Sequence, residues 1–288
     1  MEIKEKEQIR QRLMVYLSKY PSQNKGAQSI KNTSAGTISS IVNEHWENIS
    51  DEMFRNISSQ IGGQLDSSGW NVIETNAYKE MQFAMQDAQE WRNVTWIVGA
   101  AGCGKSTTAR MYSESGREVY TILCSEDMKK SDFIREIALR IGVKTDGYSV
   151  RGMFDLIIRS IIQMDSPLLI FDEADKLTDI VFHYFVTLYN RLEDKCGMVF
   201  MSTDYIKRRM EMGLRYNKKG YNEIHSRIGR KFYELDPTEA SDIYSICVAN
   251  GITDKKSISD VVNEAQEYEF DLRRVKKAIH RAKRMGKC

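Results

Sequence analysis

The glycine-rich segment at residues 99–106, with the sequence GAAGCGKS, constrains this chain more than any other feature. It fits the pattern Gly-x-x-x-x-Gly-Lys-Ser/Thr and stands between an apolar run at 94–98 and a helix-like run from 107. In a strand–loop–helix setting such glycines let backbone N–H groups turn toward a polyphosphate, and the positive end of the following helix favours its charge. The segment therefore predicts an α/β fold built around a phosphate-binding loop.

The residues of this loop have separate expected tasks. Lys105 is expected to reach the β- and γ-phosphates of ATP, and the Ser106 hydroxyl is expected to hold Mg²⁺. The predicted nucleotide-binding residues are Gly99, Gly102, Gly104, Lys105, Ser106 and Thr107. The sequence thus predicts a nucleoside triphosphate as the ligand and Mg²⁺ as its cofactor.

A second motif is the apolar run at 166–173, SPLLIFDE, which ends in two carboxylates. In a nucleotide-binding fold the first of them, Asp172, is expected to bind the Mg²⁺ shell. The second, Glu173, is expected to orient or deprotonate the attacking water. Together with Lys105, both carboxylates are therefore predicted to serve ATP hydrolysis.

The composition of the 288-residue chain excludes several classes of protein. It is 41% hydrophobic and 28% charged, which describes a folded globular protein rather than a disordered one. No apolar run is long enough to cross a bilayer, and the charged first residues do not resemble a secretory signal. Five scattered cysteines indicate reduced thiols. We therefore expect a cytoplasmic protein without a membrane partner.

Positive charge is concentrated at the end of the chain. Residues 272–288 carry eight Lys and Arg residues and no Asp or Glu. Such a block indicates either a phosphate-rich partner or a solvated helix face, and composition does not decide between them.

Three modules are predicted along the chain. Residues 66–235 alternate strands and helices, which is typical of a parallel sheet covered by helices on both faces. The strands are predicted near 94–98, 118–123, 167–171, 197–202 and 231–235, and the helices near 104–114, 131–141, 151–164, 178–192 and 204–212. The polar stretch 212–222 is predicted to be a mobile loop. Residues 236–288 are predicted to form a helical lid over the nucleotide, beginning at Asp236-Pro237.

The first module, residues 1–65, has the spacing of a helix-turn-helix. Its inward-facing residues are expected to be Ala27, Ile30, Ile38 and Ile41. Ser34 is expected to cap the second helix. The module resembles lambda-repressor-like DNA-binding domains, but its second helix offers no Arg or Lys for reading bases, so a bundle that binds no DNA is the alternative. A hinge near Asp66 and an amphipathic helix over 75–91 are predicted to follow.

Further polar residues are candidates for hydrolysis because of where they stand in the sequence. Thr203 follows the fourth predicted strand, where a polar side chain can position the attacking water, although an ordinary turn residue there looks the same. Arg227 and Arg230 precede the last strand, from where an arginine can reach a neighbouring subunit's γ-phosphate; surface ion pairing is the alternative. Arg273, at a predicted helix start in the lid, is expected to contact the nucleotide of its own subunit.

Together these motifs resemble the AAA+ superfamily over about residues 70–285. Within it the chain is most similar to the Mu B-type transposition-regulator ATPases, through the N-terminal module, LIFDEA at 169–174, SRIGR at 226–230 and the basic C-terminus. The resemblance implies an ATPase that forms a filament or ring of identical subunits on double-stranded DNA, selects target DNA and activates a transposase. It also implies a bacterial, phage or mobile-element source. Thr203 replaces the family's usual Asn, a departure that bears on the hydrolysis rate.

The resemblance also suggests where DNA binds. Lys129 and Lys130 follow the second strand, and Ser149 and Arg151 precede the next helix, in two regions where the family places DNA-tracking groups. Such groups contact phosphates, so binding is expected to tolerate any sequence and to weaken with salt.

Three other functions fit parts of the sequence. The fragments DEAD at 172–175 and Ser202-Thr203 look like helicase motifs, but too few residues separate the later motifs to hold a second α/β domain. A helicase loader or replication initiator of the same superfamily would share the ATP site and the arginines. A nucleotide-gated transcription regulator would use the N-terminal module to read an operator.

Overall fold

The computed structural model describes residues 3–18, 20–61 and 70–284. The predicted hinge at Asp66 and the last cation of the basic block, Lys287, lie outside them. In the described part of the chain, five parallel strands form one sheet in the order β2-β3-β4-β1-β5. The strands are β1 (Val94–Val98), β2 (Val119–Leu123), β3 (Leu168–Asp172), β4 (Gly197–Ser202) and β5 (Tyr233–Glu234). The predicted parallel α/β fold is confirmed.

Helices cover both faces of this sheet. One face carries α5 (Asn76–Trp91) and α6 (Lys105–Ser115). The other carries α7 (Lys130–Arg140), α8 (Val150–Ile162), α9 (Asp179–Leu192), α10 (Tyr205–Arg215) and α11 (Tyr221–Arg227). Because both faces are covered, the central strands have to be apolar throughout, and every residue of β3 and β4 is buried.

Aromatic side chains fill the centre of the larger core. Trp96 of β1 stacks on Phe200 of β4 with ring centroids 4.7 Å apart, and Phe200 stacks on Phe171 of β3 at 4.9 Å. The Trp96 indole donates to Ser202 Oγ, 2.8 Å away. Since the predicted catalytic residues follow β3 and β4, this packing fixes their strands relative to the loop that follows β1.

Within residues 3–18 and 20–61 four helices lie ahead of α5. They are α1 (Ile3–Ser18), α2 (Gln23–Gln28), α3 (Ala35–Val42) and α4 (Asp51–Gln60). The residues predicted to face inward are all buried, namely Ala27, Ile30, Ile38 and Ile41. The Ser34 hydroxyl accepts from the Thr37 N–H at 3.0 Å and so caps α3, as predicted. The Tyr20 hydroxyl donates to the Arg140 carbonyl oxygen at 2.8 Å, which docks these helices on α7.

Three helices follow β5 in the described chain and share a core of their own. They are α12 (Ala240–Ala249), α13 (Lys255–Glu267) and α14 (Leu272–Arg284). The segment before α5 is tied to them, because the Asn71 N–H and the Asn250 side chain each donate to the other residue at 2.9 Å. Trp70 and Ile73 of the same segment pack on this core. Over the three described stretches, no helix combines the length and apolarity that crossing a membrane requires.

The predicted bounds of helices and strands are wrong in three places. The loop predicted at 212–222 is too long, because α10 continues to Arg215 and α11 begins at Tyr221, so only residues 216–220 connect the helices. The Tyr221 side chain is 1% exposed and packs on Gly213. The first C-terminal helix begins at Ala240 rather than at Asp236, because Glu239 forms a capping box there. The last strand spans only Tyr233–Glu234 rather than 231–235.

Candidate nucleotide site

The predicted phosphate-binding loop joins β1 to α6. Gly102 and Gly104 have φ angles of 79° and 101°, in the left-handed region that glycine adopts without strain. The Gly99 N–H donates to the Ser202 carbonyl oxygen at 3.3 Å, which anchors the start of the loop to the end of β4. Lys105 is the first residue of α6, so the helix N-terminus follows the loop directly. This backbone shape is the one that binding of a polyphosphate requires.

The Lys105 side chain lies back over the loop. Its Nζ donates to the carbonyl oxygens of Gly99 and Ala100, both at 2.8 Å, and lies 3.7 Å from Cys103 Sγ. These acceptors are neutral, so the anionic oxygens of a polyphosphate compete well for the same ammonium group. The lysine is therefore held at the loop in a place where a phosphate can take it over.

The predicted metal-binding pair meets at the end of β3. Asp172 is 4% exposed, and its carboxylate accepts a hydrogen bond from the Glu173 N–H at 3.0 Å. Burial raises the pKa of Asp172, and the interactions with the Ser106 side chain and the Glu173 N–H act against that rise. The donor set of a hydroxyl and a carboxylate fits Mg²⁺, which prefers oxygen ligands. The described residues contain no cluster of three His, Cys, Asp or Glu.

Glu173 and Thr203, both predicted to act on the attacking water, are each bound by a residue of the turn after β3. Glu173 has a φ of 56°, and its carboxylate pairs with Lys176 Nζ at 2.6 Å. The hydrogen bond to Glu173 raises the pKa of Lys176. The Thr203 hydroxyl donates to Asp175 Oδ2 at 2.9 Å. Sequence reasoning gave Asp175 and Lys176 no role, although both lie within three residues of the motif.

Helix α14 begins against the phosphate loop. The Leu272 N–H donates to the Gly102 carbonyl oxygen at 3.1 Å. The neighbouring Asp271 carboxylate lies so close that a Cβ added to Gly102 would be 2.2 Å from its Oδ1. Arg273, predicted to contact the nucleotide, is exposed in the first turn of α14, beside this contact.

Arg227 ends α11 and is held against α9. Its Nη2 donates to Asn190 Oδ1 at 2.7 Å, and its guanidinium lies 5.3 Å from the centroid of the Tyr189 ring. Arg230 is exposed, at a φ of 59°. Within residues 70–284, neither arginine forms a hydrogen bond or ion pair with the phosphate loop or with the carboxylates after β3. The structure therefore does not bring them into the site of their own chain.

The predicted DNA-contacting residues lie at the starts of two helices. Lys129 and Ser149 are the N-cap residues of α7 and α8. Lys130 Nζ lies 4.9 Å from the centroid of the Tyr184 ring. Burial raises the pKa of the Tyr184 hydroxyl, and the nearby charge of Arg151 acts against that rise. Phe154, three residues after Arg151 in α8, packs on the same ring with the centroids 5.2 Å apart. The starts of α7 and α8 thus both lie near Tyr184, so the fold brings the two predicted regions together.

A largely buried arginine that sequence reasoning missed, Arg209, joins the turn after β3 to α11. Its Nη1 donates to the carbonyl oxygens of Asp175 and Leu177 at 3.0 and 2.7 Å. Its Nη2 pairs with Asp179 Oδ1 at 2.6 Å, and its Nε donates to the Tyr221 hydroxyl at 3.1 Å. The side chain is 13% exposed. The available signal in the sequence is a charged residue within the apolar stripe of α10.

The parallel sheet, the phosphate loop and the paired carboxylates form the arrangement that is typical of P-loop ATPases of the AAA+ class. In agreement, residues 88–210 match the family model of the AAA domain. Within that class the chain is Mu B-like. It is 23% identical over 239 residues to the ATP-dependent target DNA activator B of Escherichia phage Mu, a match that covers 81% of this chain and 75% of that protein. The protein of the same name from Escherichia phage D108 matches with the same identity and coverage. The predicted resemblance is confirmed.

Among solved structures, the Aeropyrum pernix ORC1 protein in complex with DNA has a similar fold. The TM-score is 0.54 at 17% sequence identity, and the match covers 77% of this chain and 63% of that chain. The present chain thus spans slightly less than two thirds of that protein's length. At this identity the likeness concerns the fold alone.

Proposed function

We propose that this chain is a double-stranded DNA-binding ATPase that assembles on DNA without sequence preference, selects target DNA for transposition and activates a transposase. The glycine-rich loop with Lys105 at the start of α6, together with the buried Asp172 carboxylate at the end of β3, carries the ATPase part of the proposal. The likeness to two target DNA activators over 81% of the chain supports the DNA and transposition parts.

In the proposed reaction the phosphates of ATP lie at the glycine-rich loop. Lys105 exchanges its two loop carbonyl acceptors for β- and γ-phosphate oxygens. Ser106 and Asp172 hold Mg²⁺, which when bound neutralises charge on the phosphates. Glu173 leaves Lys176 and accepts the proton of the attacking water, while Thr203 orients that water.

We assign Arg227, with Arg230 as the second candidate, to the ATP site of a neighbouring subunit. Their lack of bonds to their own site supports this assignment. An arginine supplied by a neighbour stabilises the charge of the transferring phosphoryl group, so turnover should depend on a filament or ring of subunits. Within one subunit, residues 236–288 act as the lid, and Arg273 contacts the bound nucleotide from the start of α14.

We assign the phosphate contacts with DNA to Lys129, Lys130, Ser149 and Arg151. The starts of α7 and α8 both lie near Tyr184, which supports one binding surface, and the N-terminal N–H groups of the two helices add to it. The N-terminal module acts as a helix-turn-helix with α3 as its second helix. Since α3 carries no Arg or Lys, it reads bases weakly, and binding tolerates different sequences.

Fluorescence anisotropy of the full chain on two DNA duplexes of unrelated sequence tests the proposal. With a non-hydrolysable ATP analogue both duplexes should bind equally, more tightly than with ADP, and more weakly as salt rises. The double variant Lys130→Ala/Arg151→Ala should reduce the slope of log affinity against log salt by about two, roughly one per lost phosphate contact. Lys195→Ala, which changes an exposed lysine just before β4, is the control.

Tight binding to only one of the two duplexes, or equal affinity with the ATP analogue and with ADP, would contradict the DNA part of the proposal. The transposition part has a separate test. Adding the chain and ATP to a cognate transposase should increase strand transfer into target DNA, whereas Lys105→Ala should have no such effect.

A further inference from the structure

Arg209 contacts two parts of the fold that the proposed mechanism uses for different purposes. Its Nη1 donates to the carbonyl oxygens of Asp175 and Leu177, in the turn that follows β3. Its Nε donates to the hydroxyl of Tyr221, the first residue of α11. A single guanidinium is therefore bonded both to the hydrolytic side of the ATP site and to the helix that ends at Arg227.

The contacts of Arg209 with the turn after β3, Asp179 and Tyr221, called here the Arg209 joint, leave the guanidinium little freedom to move. Asp179 Oδ1 accepts from Arg209 Nη2 at 2.6 Å and from the Tyr221 hydroxyl at 2.7 Å. The guanidinium also lies 4.7 Å from the centroid of the Phe182 ring. The planar fork of an arginine reaches all these acceptors together, which the single ammonium of a lysine cannot do. The Tyr221 ring is fixed against Gly213, where an added Cβ would lie 2.0 Å from it.

Both ends of the joint lead to groups proposed to act in hydrolysis. At one end, the Asp175 carboxylate accepts from the Thr203 hydroxyl at 2.9 Å. At the other end, α11 carries Arg227, which is held to α9 through Asn190 at 2.7 Å. A shift of the turn after β3 when a γ-phosphate binds or leaves would move α11, because Arg209 is bonded to both.

We infer that Arg209 is a positioning residue that couples the γ-phosphate side of its own ATP site to the arginine offered to the neighbouring subunit. This inference rests on the proposed function, because it requires Arg227 to act in a neighbour's site. Arg209 acts through the turn after β3 and through Tyr221. Loss of the joint should therefore lower turnover while ATP binding is kept.

The test uses the full chain with Arg209→Lys, and Arg208→Lys, an exposed neighbour on the same helix, is the control. ATP hydrolysis on double-stranded DNA should show kcat lowered by about tenfold, with KM for ATP within about twofold of the parent value. Tyr221→Phe removes only the hydroxyl, keeps the ring packing and should also lower kcat. If thermal melting shows that Arg209→Lys does not fold, Tyr221→Phe alone serves as the test variant.

Mixed oligomers separate this inference from the proposed function. Glu173→Gln chains cannot hydrolyse ATP but keep α11 intact, so they can offer Arg227 to a neighbour. Adding them to Arg209→Lys chains should restore turnover severalfold, as it should for Arg227→Ala chains. If only the Arg227→Ala chains are rescued, the inference is wrong and the proposed function stands.

If mixing rescues neither variant, the role of Arg227 in a neighbour's site is wrong, and the inference falls with it. Two further results would overturn the inference alone. One is an unchanged kcat in both Arg209→Lys and Tyr221→Phe. The other is a loss of ATP affinity as large as the loss of turnover, which is what a purely structural role predicts.

Discussion

Glu173 is both placed and restrained by the backbone and side chains around it. Its φ of 56° lies in the left-handed region, at a cost of about 1–3 kcal/mol for a non-glycine residue. The carboxylate ends 2.6 Å from Lys176 Nζ. The proposed mechanism requires this carboxylate to face a water instead, so the ion pair should compete with it.

Replacing Lys176 by Met should therefore raise the ATP turnover measured without DNA. The side chains of Lys176 and Glu173 are 41% and 40% exposed. Exposed ion pairs contribute up to about 1 kcal/mol, so the increase should not exceed about fivefold. Lys31→Met breaks another exposed pair, with Glu136, and should leave turnover unchanged. A fall in turnover would show that Lys176 assists Glu173 rather than restraining it.

The burial of Asp172, the proposed metal ligand, should lower the stability of the fold. Burial raises the pKa of its carboxyl in the folded protein, so the folded chain binds this proton more tightly than the unfolded chain. The resulting penalty is absent below the unfolded pKa and grows as the pH rises through the folded pKa.

Asp172→Asn removes that penalty and should raise the melting temperature at neutral pH. A gain of about 1 kcal/mol corresponds to about 2–4 °C for a chain of this size. The gain should shrink as the pH falls toward about 4, near the ordinary pKa of an aspartate. ATP turnover should be lost in the same variant. A lower melting temperature at neutral pH would show that the hydrogen bonds to Asp172 outweigh its burial.

Between elements, the contact of α14 with the phosphate loop links the C-terminal helices to nucleotide binding. Two glycines allow this contact to be isolated, because Gly102 and Gly147 have the same φ of 79°. A Cβ on Gly102 would lie 2.2 Å from Asp271 Oδ1, whereas a Cβ on Gly147 would have nothing within 4 Å. An alanine would bear the same backbone strain at either position, but only at Gly102 would it meet a neighbouring side chain.

Gly147→Ala should therefore destabilise the protein by about 1 kcal/mol, the strain of a left-handed alanine. Gly102→Ala should destabilise it more and weaken ATP binding, because Asp271 and the start of α14 have to move. Chemical denaturation and titration with a fluorescent ATP analogue measure the two effects. Equal destabilisation of both variants, with unchanged ATP affinity in Gly102→Ala, would show that α14 does not depend on the loop.

The elements that were predicted correctly from the sequence are those whose signals lie within a few neighbouring residues. The loop before Lys105, the apolar strand before Asp172 and the Ser34 cap each depend on residues a few positions apart. By contrast, Arg209 bonds to residues 30 to 34 positions earlier in the chain. Polar composition predicted a loop at 212–222, where packing between two helices decides the structure. The periodicity of apolar residues along the chain does not show which residues contact each other over such separations.

At the scale of the whole molecule, the N-terminal and C-terminal helices are attached to the ATPase core at different places. The Tyr20 hydroxyl donates to the Arg140 carbonyl oxygen at 2.8 Å, which joins the N-terminal helices to α7. The C-terminal helices contact the phosphate loop through Leu272 and the segment before α5 through Asn250. The C-terminal attachment thus includes the candidate nucleotide site itself, and we expect assembly on DNA to respond to the bound nucleotide.

Negative-stain electron microscopy of the full chain on double-stranded DNA of unrelated sequence tests this expectation most directly. With ATP, Glu173→Gln should form filaments or rings that persist on the DNA, because ATP binds and is not hydrolysed. Lys105→Ala should form none, because the ammonium group that holds the phosphates is absent, and the parent chain should assemble with ATP but not with ADP. Filaments formed by Lys105→Ala, or single Glu173→Gln particles bound at one DNA site, would contradict ATP-driven assembly on DNA.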